Sequence, residues 1–263
     1  MKSGFLVLTA LFLLSGASAD EVPNAPIEMA PGVTVRRAFA VSQDATAGEV
    51  LGACRSMLPV RPVELTGSLI RRSRKGIVSS EHDYRLTMRR GVDVSLLTIR
   101  LSPRGETNEL ASVTISRKTG ERPVIRMMKA GSSAEEVVAS PLARVLDTDV
   151  TWLDLTFDFL WWSRAEYEAE REGESIHGQK CRVILVRPDV PVEGLSAVRL
   201  WVDRKTGCLM QAEQVGADGK PLRRLWGTRV KKFDGKWMVS VLEVETEGVR
   251  HRTKITVDGI REF

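Results

Sequence analysis

Two long stretches of this chain, near residues 62–129 and 164–260, alternate apolar and polar side chains with a period of two and are cut repeatedly by tight turns. That pattern leaves little choice but antiparallel β-sheet. Residues 199–226 show it well. Lys205-Thr206-Gly207 and Ala217-Asp218-Gly219-Lys220 are turn signals, and between them Cys208, Met210 and Ala212 alternate with Leu209, Gln211 and Glu213. The same reasoning predicts strands near 62–73, 82–90, 92–102, 108–118 and 122–129. A second set follows near 164–175, 179–187, 197–204, 207–215, 221–232, 236–246 and 250–260. Most connections are too short for anything but antiparallel pairing of sequence neighbours, so the strands form a meander. A sheet this long curls.

Helices are few. Ser42-Gln43-Asp44 offers a cap for a helix reaching about Met57, with Val50, Leu51, Cys54 and Met57 or Leu58 on one apolar face. After Gly131-Ser132-Ser133, a helical turn is expected over Glu135–Ala139. A second short helix, capped by Asp149 or Thr151, should run through Leu155 and Phe159. The fold class is mainly β, an open antiparallel sheet with short helices to cover part of one face. No boundary signal divides residues 42–263, which are expected as one domain.

Lys2, the apolar run from Phe5 to Leu14 and Ala17-Ser18-Ala19 have the layout of a secretory signal peptide cleaved after Ala19. No Cys follows that site to accept a lipid, and residues 20–41, with Pro23, Pro26 and Pro31, read as an extended leader. An exported, periplasmic protein is expected, and not an integral membrane protein. Without residues 1–19 the formal charge falls from +5 to +4, because Lys2 is the only charge removed. So mild a surplus, with few aromatics, argues against nucleic acid as a partner. Cys54, Cys181 and Cys208 are not a disulfide framework. Export permits one bond, with Cys181 and Cys208 the obvious pair, but antiparallel pairing puts another strand between them, roughly 9–10 Å apart, too far for a disulfide without distortion; unpaired buried thiols are the favoured alternative.

Little in the sequence reads as catalytic chemistry. Asp147-Thr148-Asp149 is a DxD tripeptide without further ligands at metal spacing, and it reads as a helix-capping loop. His82, His177 and His251 are scattered, with no GxSxG elbow and no HExxH helix. Arg71-Arg72-Ser73-Arg74-Lys75 is a solvated hairpin end in the plain reading, or a contact for anionic headgroups or an acidic partner. Phe159-Leu160-Trp161-Trp162 is either a core plug or a lid over a hydrophobic cavity. No metal or cofactor is expected, and no enzyme activity.

The second half, from "PLARVLDTDVTWLDL" through "HGQKCRVILVRPDVP" and "VRLWVDRKTGCLMQAEQVGADGKPLRR" to "VKKFDGKWMVSVLEV", resembles the outer-membrane lipoprotein-sorting (LolA-like) family. The resemblance is strongest over residues 141–260 and holds only in pattern over 43–130. It implies a strongly curved half-barrel with helices over the concave face, binding acyl chains of lipoproteins or lipids between sheet and helices. It also implies a monomer working with the inner- and outer-membrane sorting machinery. Alternation alone nominates the cavity wall. In the first half it gives Leu97, Ile99 and Leu101, Val113 and Ile115, and Ile125 and Met127. In the second half it gives Val183 and Leu185, Val198, Leu200 and Val202, then Met210, Trp226 and Trp237. Two other functions fit the sequence. An envelope sensor or scaffold would use the fold to bind a protein and show a closed cavity with an exposed apolar edge. A hydrolase would bring one of the histidines beside a nucleophile.

Overall fold

The computed structural model describes residues 27–29, 33–35, 42–59, 61–90, 94–118, 121–233 and 236–263. The expected signal peptide lies outside the described residues. So does the leader, apart from two short strands, β1 (Ile27–Met29) and β2 (Val33–Val35), which pair antiparallel.

All other strands belong to one antiparallel sheet of fourteen. In chain order they are β3 (Val63–Ser73), β4 (Val78–Arg90), β5 (Val94–Pro103), β6 (Ala111–Lys118), β7 (Val124–Lys129) and β8 (Glu136–Val137). Then come β9 (Arg164–Tyr167), β10 (Ser175–Ile176), β11 (Gln179–Arg187), β12 (Ala197–Asp203), β13 (Leu209–Val215), β14 (Pro221–Phe233), β15 (Lys236–Thr246) and β16 (His251–Glu262). Neighbours in sequence are neighbours in space, as the short turns require, with one addition. The last strand, β16, pairs with the first of the meander, β3, so the sheet runs β10-β11-β12-β13-β14-β15-β16-β3-β4-β5-β6-β7-β8. The sheet is open, with β8 on one edge. At the other end, β9 and β10 pair in succession along β11.

The chain divides into two compact units. One contains β3 to β8, β16, the end of β15 and a five-residue helix, α2 (Trp152–Thr156). On its buried face cross-strand partners are apolar: Leu86 opposes Ile99, Ile99 opposes Val113, Leu97 opposes Ile115, and Ile115 opposes Ile125. The β16–β3 ladder contains a bulge between Val257 and Gly259, and Tyr84 Oη donates to the Thr256 carbonyl beside it at 2.8 Å. Gly67 makes this approach possible, because a Cβ there would sit 1.8 Å from the Thr256 oxygen.

The other unit contains a ten-residue helix, α1 (Ala47–Ser56), with β9 to β14 and the start of β15. Val50, Leu51 and Cys54 of α1 are buried, as the helical spacing predicts. Cys54 Sγ donates to the Gly207 carbonyl at 3.2 Å. All three cysteines are free and buried, as expected. Burial pushes the Cys54 thiol up to about 12, helped by the neighbouring Cys208, and that of Cys181 up to about 11.

Three local expectations change. The first helix is capped by Thr46, not by the Ser42 run: Glu49 N–H donates to Thr46 Oγ1 at 3.3 Å, and Thr46 N–H donates back to Glu49 at 2.7 Å. This reciprocal T-x-x-E box satisfies two groups that a lone Ser or Asp could not. The expected turn of helix at 135–139 is instead β8. Five residues hardly sustain a helix, whereas the edge of β7 supplies partners, including the Ile125 carbonyl for Val138 N–H at 2.9 Å. Residues 164–175 are not one strand but β9, a 3-10 turn over Ala169–Arg171, and β10.

Thr46→Ala should lower stability by about 1 kcal/mol in urea denaturation, while Ser42→Ala leaves the midpoint unchanged. Gly67→Ala should cost about 3 kcal/mol or more, because backbone and not a flexible side chain blocks the new methyl.

Candidate functional site

The site is the apolar sheet face of the unit containing β3 to β8, together with the segment that covers it. Leu97, Ile99, Leu101, Val113, Ile115 and Ile125 all lie buried on this face, and Met127 is half-buried at its margin. These seven share one phase, as alternation in the sequence groups them, because each strand here keeps strict register with the next.

Residues 147–158 form the cover. α2 begins at a second capping box, Thr151 with Asp154, and ends at Phe157 in the left-handed conformation (φ 50°). Trp152 and Leu153 are buried. Polar contacts at both ends of the segment fasten it to the sheet. At its start, Asp147 Oδ1 accepts from Ser80 Oγ at 2.8 Å and lies 2.7 Å from His82 Nε2. Burial opposes ionisation of Asp147, but these hydrogen bonds outweigh it and hold the carboxyl below its usual range. Asp149 is 0% exposed. Its Oδ2 meets His251 Nδ1 at 2.8 Å and Thr253 Oγ1 at 3.2 Å, and its N–H donates to Thr253 Oγ1. Arg71 Nη2 lies 2.6 Å from His251 Nε2.

At the other end of the cover, Arg117 projects from β6 in the same phase as Val113 and Ile115. Its Nε donates to Asp158 Oδ1 at 2.7 Å, and both side chains are nearly buried. Burial lowers the Arg117 pKa, and Asp158 only partly restores it.

The DxD tripeptide therefore does something the sequence did not suggest: its two carboxylates each hold one histidine. The helix cap is Thr151, and among the described residues no cluster of acidic, His or Cys side chains could hold a metal. Ser80, His82 and Asp147 are not a proton relay. A relay needs hydroxyl and carboxylate on opposite ring nitrogens, but both meet Nε2, and His82 Nδ1 is buried without a hydrogen-bond partner. His177 lies at a turn with φ 49°. The role of Arg117 was missed, although an arginine in an apolar phase was the signal that could have found it.

In the unit containing α1, the nominated residues do not share a face. Register pairs Ile184 with Leu200 and Val186 with Val198, so Val198, Leu200 and Val202 go with Ile184. Val183 and Leu185 are on the opposite side with Trp201 and Arg199, as is Trp226 through Gln211. Both faces of β11 and β12 are largely buried here, which hides the alternation. Met210, also buried, falls at the bulge between Trp201 and Val202 and has no opposite residue. Trp237 is in β15, and its side chain lies outside the described residues. On the Ile184 side, Arg182 donates to the Ser42 carbonyl just before α1. On the other, Arg199 is held between Glu168 and Glu213, and Trp201 Nε1 donates to Glu174 at 2.8 Å.

An open groove of about 680 Å³ in the β3 to β8 unit is lined by charged and polar groups, including Asp83, Arg85, Arg100, Arg104 and Asp258, and reaches only Leu101 of the nominated residues.

Asp158→Ala should destabilise the fold by about 3–5 kcal/mol by removing the carboxylate from a buried guanidinium. The double change Arg117→Met, Asp158→Leu should recover most of that loss in the same denaturation experiment.

A family model described as an uncharacterized protein matches residues 138–262. No curated protein matches the sequence. Solved structures do. A putative outer membrane lipoprotein-sorting protein domain from Vibrio parahaemolyticus is 14% identical, with a TM-score of 0.71 over 82% of this chain and 92% of that one. A DUF1329 family protein from Desulfovibrio piger is 15% identical, with a TM-score of 0.70 over 82% and 91%. A LolA superfamily protein from Nitrosomonas europaea is 15% identical, with a TM-score of 0.63 over 83% and 94%. The open antiparallel sheet and its few helices are the LolA-like fold.

Proposed function

We propose that this chain binds a hydrophobic ligand, an acyl chain of a lipid or lipoprotein, on the Leu97 to Ile125 face after the cover at 147–158 moves aside. The observation that carries this reading is the character of the cover: a short segment lying on a continuous apolar face and fastened at its ends by polar pairs. Polar fastenings can be exchanged for water as the segment lifts, while the apolar face must remain covered by something else. An acyl chain supplies that cover. Burying sixteen carbons is favourable by about 12 kcal/mol at most, at roughly 0.8 kcal/mol per methylene. Such binding requires a dry surface and assigns no catalytic residue.

The same reading places the protein in the periplasm as an exported carrier acting between the inner- and outer-membrane sorting machinery, as a monomer. The description of the Vibrio parahaemolyticus domain and the N-terminal apolar run support it. None of the helices in the described residues is long and apolar enough to cross a membrane.

One observation favours the scaffold reading instead. The short edge strand β8 leaves Val137 66% exposed, the kind of edge a partner strand could extend. Native mass spectrometry with lipid extraction, on protein taken from the periplasm of its own host, separates the two. A bound acylated species, absent from a folded Val113→Asp variant, is the expected result. A ligand-free mass that also ignores added lipoprotein would overturn the carrier reading and leave the scaffold.

A further inference from the structure

The β3–β4 hairpin carries a feature that the binding face does not use. Its turn is firmly built: Ser73 N–H donates to the Ile77 carbonyl at 2.8 Å, Gly76 N–H to the Ser73 carbonyl at 2.9 Å, and Ile77 N–H to Ser73 Oγ at 3.2 Å. Gly76 adopts φ 83°, which a side chain would resist. This rigid turn displays two aliphatic side chains to solvent, Ile77 at 68% exposure and Val78 at 48%. The tip also projects. The last residue of β4 paired with β5 is His82, opposite Pro103, so Val78 to Glu81 extend past the end of β5.

Cations surround the apolar pair. Lys75 is exposed and makes no ion pair among the described residues. The adjacent β15–β16 turn brings Arg250, also exposed and without an ion pair there, and its carbonyl accepts from Arg74 N–H at 3.0 Å. Arg74 pairs with Glu245 at 3.2 Å, and Glu247 is exposed on the same turn. Lys75, Arg74 and Arg250 against these two carboxylates leave a single net positive charge.

We infer that this hairpin tip docks the protein on the surface of an anionic lipid bilayer, with Ile77 and Val78 entering the headgroup boundary and Lys75 and Arg250 meeting lipid phosphates. The shape selects a bilayer over a protein partner. A stable protein interface buries about 800 Å² on each side, far more than two side chains on a projecting turn provide. A bilayer accepts such a tip without a matching surface, and basic residues beside it add attraction to anionic headgroups. Nothing in this contact requires a bound cargo.

Flotation with vesicles of equimolar phosphatidylglycerol and phosphatidylethanolamine, against vesicles of phosphatidylcholine alone, tests the inference on the full chain. Every variant carries the same N-terminus, so differences report the tip. The wild type should float with the anionic vesicles. Ile77→Ser with Val78→Ser should bind about tenfold more weakly and Lys75→Glu at least about fivefold more weakly, with thermal midpoints matching the wild type because these side chains are exposed. No flotation of the wild type, or equal flotation of the Ile77→Ser, Val78→Ser variant, would overturn the inference. Equal binding to both vesicle types, unchanged by Lys75→Glu, would overturn its anionic part.

Discussion

An antiparallel sheet with one apolar face has to keep that face from water, and much else in the β3 to β8 unit follows from how it does so. Leu86, Leu97, Ile99, Val113, Ile115 and Ile125 stack across four strands without a polar interruption. A cover made of twelve residues could not hold its place on apolar contact and helix propensity alone, since α2 has only five residues. It is held by chemistry at its two ends: carboxylates against histidines at Asp147 and Asp149, and a carboxylate against a guanidinium at Asp158. Arg117 with Asp158 is a buried ion pair, and such a pair contributes little net stability over apolar replacements, although breaking it is expensive. It therefore defines where that end of the cover sits more than how strongly the whole fold holds.

The α1 unit solves the same problem differently. Both faces of β11 and β12 are buried, one tied to the start of α1 through Arg182 and the other closed by Glu168 and Glu174 acting on Arg199 and Trp201. Hydrogen bonds to Glu168, and then Glu213, raise the Arg199 pKa, so this guanidinium is firmly charged. With polar pairs on one side and aliphatic residues on the other, this wall has both faces largely buried.

These differences explain what could be read from the sequence. The strands and turns were legible because Gly and Asp turns and period-two alternation are local. The wall over Leu97 to Ile125 was legible because one face is wet: Thr98, Thr114 and Arg126 occupy the other phase. Alternation lost its meaning at Val183 and Leu185, where Arg199 and Glu213 are buried and Ile184 is too. The Thr46 box was visible as T-x-x-E but lost to the nearer-looking Ser42 cluster. The fastening of the cover joins residues 41 to 104 positions apart, Arg117 with Asp158 and Asp149 with Thr253, and no local pattern contains that information.

The pairing of the last strand with the first has a consequence for how the molecule is made. β3 finds β16 through eleven registered residue pairs, from Ser73 with His251 to Val63 with Glu262. Until the final dozen residues emerge, one side of β3 is an unpaired edge, with its N–H and C=O groups open to any other strand. Contacts this distant in sequence close slowly. As the chain is made, its first meander strand thus waits for β16. In that interval it is most exposed to aggregation, and an escort that caps a β-edge would matter more to it than one that covers apolar helices.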